Sequence, residues 1–128
     1  MRSVNTDARK AVAVMSDLFF AVKVNEAAKR SGYTFKMAKT EEAALNNIRD
    51  GAEIVILDLN CREVDPIALL KTIKADDSLK HIRTVAFLSH VHEDLRRAAV
   101  EAGCDEVMPR SRFVTVVDSL FTAPALGV

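Results

Sequence analysis

The spacing of apolar residues changes period again and again along the chain. Short runs apolar at every position, Ile54-Val55-Ile56-Leu57 and Val85-Ala86-Phe87-Leu88 among them, alternate with longer stretches in which apolar residues recur every three or four positions. A strand apolar on both sides must be covered on both faces, so the short runs predict a parallel sheet wrapped in helices. Strand and helix patterns alternate five times. Lys10 to Met15 is predicted as strand and Asp17 to Ser31 as helix, with Ser16 as N-cap and Gly32 as terminator. Thr34 to Ala38 is a strand, and Thr40 to Arg49 a helix whose acidic first turn, Glu41-Glu42, suits the positive end of its dipole. Ile54 to Leu57 precedes a helix over Pro66 to Ala75, opened by its proline. Asp76 to Ile82 is a loop, Arg83 to Leu88 a strand, and Glu93 to Ala102 a helix ended by Gly103. Glu106 to Met108 and Arg112 to Thr122 complete the series, with Pro124 as the stop. Such alternation implies parallel strands joined by right-handed crossovers.

Open α/β sheets bind ligands beyond the carboxyl ends of their strands. The residues that follow these runs are therefore the candidate chemistry. Asp58 follows the third run and Ser89 the fourth; Ser16 and Asp17 follow Ala11 to Met15, and Arg110 follows Val107 to Pro109. An acid, a hydroxyl and a cation meet at one rim.

The 128 residues fit one domain, expected over 10–122 between a flexible arm, 1–9, and a tail, 123–128. Lysine plus arginine equals aspartate plus glutamate at 18 each, without a basic patch or stripe, so neither a nucleic-acid nor a membrane partner is expected. Two cysteines, Cys61 and Cys104, are too few for a disulfide scaffold or a zinc cluster. A reducing cytoplasm is the expected location, since no signal peptide or membrane-spanning run is present.

In this order and spacing the residues resemble the receiver domain of two-component response regulators, over Lys10 to Phe121. The resemblance implies the flavodoxin-like (βα)5 fold, a doubly wound parallel sheet of strand order 2-1-3-4-5. It implies that Asp58 is the phosphoacceptor, that the backbone carbonyl of Asn60 is a magnesium ligand and that Ser89 bonds the acyl phosphate. Asp65 matches a frequent acid at the start of the third helix. Ala102-Gly103-Cys104-Asp105-Glu106 resembles the family's signature before the fifth strand.

The departures are specific. Receivers close the first strand with two adjacent acids that hold magnesium; Met15 and Ser16 stand there instead. A thioether is a poor ligand for a cation that takes hard oxygens in octahedral geometry. The remaining metal set is Asp17, Asp58 and Asn60, with Asp17 also readable as an acid in the first turn of a helix. Weak magnesium binding or none is expected. Arg110 replaces the family's lysine, and its planar fork suits pairing with Asp58 rather than duty as a point charge at a phosphoryl group. Val107 replaces the switching aromatic, Ser111 the following proline, and Arg62 and Pro66 the family's Pro and Gly in the third-strand loop.

Other candidates are weaker. His90 and His92 lack a third metal ligand at a recognised spacing and read as a solvated loop. Cys61, beside Arg62, has no resolving cysteine near it in sequence, and Cys104 reads as packing. No Gly-x-Ser-x-Gly elbow or glycine-rich phosphate loop is present, so an enzyme is not expected, although a small enzyme using Asp58 as acid or base remains an alternative on this fold. In the last helix Phe113, Val114, Val116, Val117, Leu120 and Phe121 make an arc wider than a surface helix usually carries. The expectation is an interface through Phe113, Val114, Val117 and Phe121 for a homodimer or another protein, with burial under the 123–128 tail as the alternative. The chain is thus expected to be a stand-alone, atypical receiver domain acting by protein binding, with an impaired phosphorylation site. A conventional phosphoacceptor fed by a histidine kinase is the alternative, and a downstream effector is the other expected partner.

Overall fold

The computed structural model describes residues 9–89 and 92–122. The elements are β1 (Arg9–Val14), α1 (Leu18–Arg30), β2 (Tyr33–Ala38), α2 (Glu41–Arg49), β3 (Ala52–Asp58), α3 (Pro66–Ala75), β4 (Arg83–Leu88), α4 (Glu93–Glu101), β5 (Glu106–Pro109) and α5 (Arg110–Thr122). All strand pairs are parallel, in the order β2-β1-β3-β4-β5. This is the flavodoxin-like arrangement that the receiver resemblance implied.

The boundaries moved for local reasons. β1 begins at Arg9, placed in the expected arm, because its guanidinium lies 4.7 Å over the Tyr33 ring and pairs with Glu53 at 2.8 Å. α1 is capped by Asp17, not by Ser16: the Asp17 carboxylate accepts from the Phe20 N–H at 3.1 Å. Thr40 caps α2 by accepting from the Ala43 N–H, and Asp65 caps α3 by accepting from Ile67 and Ala68. α5 starts at Arg110 rather than Arg112 and follows β5 directly, since no proline stands at position 111 to interrupt it.

Alternate strand residues feed two cores, one on each face. Val12, Val14, Val55, Leu57, Ala86 and Leu88 pack with residues of α2, α3 and α4. Ala11, Ala13, Ile54, Ile56, Val85 and Phe87 pack with α1 and α5. On that second face Phe87 stacks on Phe113 with centroids 4.7 Å apart, and Phe20 meets both rings edge-on at 5.2 and 5.5 Å. Phe113, Phe121 and Val117 are therefore core residues, which corrects their expected role as an interface. The sheet and α1 cover them, and only Val114 of the expected four stays exposed. The alternative cover, the tail, lies outside the described residues.

The amino edge of the sheet is tied by a closed polar cluster. Thr84 is fully buried; its N–H and hydroxyl donate to the Asp105 carboxylate at 2.8 and 3.0 Å, and its Oγ1 accepts from the Asp105 N–H at 3.0 Å. Lys74 reaches the same carboxylate at 3.4 Å. The turn into it needs Gly103, at φ +97°, whose position leaves room for the Lys74 stem. The Cys104 thiol donates to the Glu106 carbonyl at 3.2 Å, and burial raises its pKa. The Ala-Gly-Cys-Asp-Glu stretch thus serves architecture. No helix among the described residues is long and apolar enough to cross a membrane.

Candidate functional site

Three strand ends deliver the site. β3 ends on Asp58, half-buried, whose carboxylate accepts from the Asn60 N–H at 2.9 Å. The Asn60 side-chain oxygen in turn accepts from the Ser89 N–H at 2.7 Å. Asn60 therefore joins the acid to the end of β4, and Asp58, Asn60 and Ser89 do come together at one rim. Burial raises the pKa of Asp58; the Asn60 N–H and the charge of Arg110 oppose that rise, while the negative charges of Asp17 and Glu63 add to it.

Arg110 is at the rim but not on Asp58. Its guanidinium donates to Asp17 at 2.8 Å and lies 4.4 Å over the face of Phe20, so the expected Asp58 pairing is corrected. Asp17, at the α1 cap, is the acid its guanidinium bonds. The same contact explains its chemistry: the Arg110 hydrogen bond first, then the Phe20 N–H, hold its carboxyl below the usual range.

At the rim Asp58 and Asp17 are the acids that could face a divalent cation, and Met15 and Ser16 add no charged donor to them. Met15 is buried in the α1/α5 core, where its thioether packs with apolar side chains. Ser16 supplies at most a neutral hydroxyl, and Asp17 is already bound by a guanidinium. Among the described residues no group of three or more histidine, cysteine or acidic side chains could hold a metal.

Glu63 escaped the reading of the sequence. Its own backbone N–H, then the Cys61 thiol, with a smaller contribution from the Ser16 hydroxyl, lower its pKa, and it bears electrostatically on Asp58. A loop acid with no strand-end position gives no signal in a linear pattern. His92 is the N-cap of α4 without a side-chain capping bond, and His90 lies outside the described residues. Cys61 is buried and contacts Glu63 at 3.5 Å.

The fold is shared with solved receiver domains of response regulators. The phosphorylated cyanobacterial phytochrome response regulator RcpA superposes with a TM-score of 0.77 at 19% identity, over 88% of this chain and 91% of that one. The signal receiver domain of the DNA-binding response regulator merR from Colwellia psychrerythraea 34H gives 0.77 at 16%, over 89% and 96%. The Mn(2+)-bound form of response regulator Rcp1 gives 0.69 at 20%, over 88% of each chain. At these identities the likeness is one of fold. The sequence profile described as PDE8A-like, N-terminal domain matches residues 16–111, and the chain belongs to that family. No curated protein matches the sequence closely enough to count as a relative.

Proposed function

We propose that this chain is an atypical receiver-like signalling module that works by binding a protein partner and has lost most of its acyl-phosphate chemistry. The observation that carries this reading is the position of Arg110. The Arg110 guanidinium is spent on Asp17, Met15 is withdrawn into the core, and among the described residues Asp58 accepts from the Asn60 N–H alone. A phosphoryl donor approaching Asp58 brings negative charge to a carboxylate, and transfer needs positive charge or a metal to offset it. Here the charge of Arg110 still favours ionised Asp58, but its guanidinium is held by Asp17. The partner is a histidine kinase or a downstream effector under the receiver likeness.

Incubation with acetyl phosphate and magnesium followed by intact-mass analysis should give little modified protein, and magnesium should leave the melting temperature nearly unchanged. Replacing Met15 and Ser16 by aspartate together with Arg110→Lys should raise the modified fraction. Stoichiometric phosphorylation of the unaltered chain at Asp58 would establish a conventional phosphoacceptor instead.

A further inference from the structure

Beyond Asp58 the chain of β3 stays with the sheet for one more bond, the Leu59 N–H donating to the Phe87 carbonyl at 2.9 Å. A parallel ladder kept in this register would next take the Ser89 N–H to the Leu59 carbonyl. That N–H goes instead to the side-chain oxygen of Asn60, at 2.7 Å. The Asn60 carboxamide thus stands where a rung of the sheet belongs. Backbone bonds on either side set its position. Leu59 is buried in the core under α2, α3 and α4 and is held by its own rung to Phe87; the Cys61 N–H donates to the Asp58 carbonyl at 3.0 Å and closes the turn that carries Asn60. The Asp58 carboxylate adds its bond from the Asn60 N–H at 2.9 Å to a residue that the backbone already places.

We propose that Asn60 is a fixed side-chain rung that holds the end of β4 against β3 whatever the state of Asp58, so that a partner meets this part of the rim in a single conformation. The inference deepens the proposed function and rests on it for the presence of a partner, but the rung belongs to the free chain. Ser89 is exposed, so water alone would satisfy its N–H. What the carboxamide adds is direction. Water accepts from many angles, whereas the Asn60 oxygen is delivered from a turn tied to β3, and it fixes the residue at which the chain leaves the sheet toward α4. A carboxamide is also neutral at every pH at which the chain folds and always keeps its acceptor oxygen. A carboxylate or an imidazole in its place would strengthen or release the bond as it titrated.

Water-exchange NMR on the isotope-labelled whole chain reads the Ser89 N–H directly. Asn60→Ala should speed its exchange by roughly tenfold or more while the Leu59 N–H keeps its protection, because only the side-chain rung is lost. Asn60→Leu, of similar size but without the oxygen, should do the same. Asp58→Ala should leave Ser89 within about threefold of the unaltered chain, since the backbone bonds at Leu59 and Cys61 remain. Unchanged exchange at Ser89 in both Asn60 variants would overturn the proposal. Equal acceleration at Leu59 would overturn it too, by showing that the whole strand end frays. So would a Ser89 N–H released as strongly by Asp58→Ala as by Asn60→Ala, for the strand end would then follow the carboxylate. None of these outcomes bears on the yield with acetyl phosphate, so the two readings fail separately.

Discussion

α1 and α5 are each 13 residues long, lie side by side on one face of the sheet and are comparably apolar, yet they distribute their large side chains in opposite ways. α5 turns Phe113, Val117, Leu120 and Phe121 inward. α1 turns inward Phe20 and Val24, but otherwise Ala21, Ala27 and Ala28, and leaves Leu18, Phe19 and Val22 outside. The residues α1 turns inward are mostly small, and Leu18, Phe19 and Val22 stay in solvent. The width of an apolar arc therefore says little about exposure. Which of the large residues face the sheet decides it.

The most severe way to break this comparison is to truncate one phenylalanine from each helix. Phe113 stacks on Phe87 and touches Phe20, so Phe113→Ala should cost about 3–5 kcal/mol in urea unfolding, through lost transfer energy and a cavity. Phe19→Ala should change the stability of the monomer by less than about 0.5 kcal/mol. Equal costs would mean that Phe19 is covered within the monomer and that the two helices do not differ as described.

The fold was legible because each strand of the parallel sheet is a run apolar on both faces, a pattern that survives whatever the neighbours are. The α1 cap was missed by one position, Asp17 instead of Ser16, and the caps at Thr40 and Asp65 went unread although each side chain lies two or three residues from its donor. Contact between elements remote in sequence also escaped. Arg110 chooses between Asp17 and Asp58 by where α5 begins, and that start moved by two residues from the expected one. In α5 the sheet absorbs the wide apolar arc. In α1, Leu18 to Val22 is an unbroken apolar run that carries the same signal, and its first turn is the one left uncovered.

A weaker cut removes the latch between the two helices. Arg110→Ala takes away the ion pair with Asp17 and the contact with Phe20, both partly solvent-exposed, so after screening the loss should be about 1 kcal/mol. The ion-pair share has a pH signature. Asp17 is held below its usual range in the fold, so its contribution is present above the unfolded carboxylate value and is lost as pH falls through the lower, folded one. The stability gap between the two proteins should narrow in acid to the share due to Phe20. A gap that is flat with pH would mean that the guanidinium stabilises α1 against α5 through the ring alone.

The smallest effect asks whether that latch leaves Asp58 without a counter-charge. Burial raises the Asp58 pKa, so the fold favours its protonated form. The stability this provides is complete below the unfolded carboxylate value and is lost as pH rises through the folded one, leaving a charged, partly desolvated group at neutrality. Asp58→Asn keeps an oxygen to accept from the Asn60 N–H and removes the charge. It should match the unaltered protein in acid and exceed it at neutral pH by less than about 1 kcal/mol, given the solvent access that screens the carboxylate. Thermal melts across that pH range read the crossover directly. In the Arg110→Ala background the gain should grow, because the charge of Arg110 is one of the two influences that favour ionised Asp58. An unchanged gain there would mean that Arg110 belongs wholly to Asp17, with no electrostatic link from the α1–α5 contact to the acid at the end of β3.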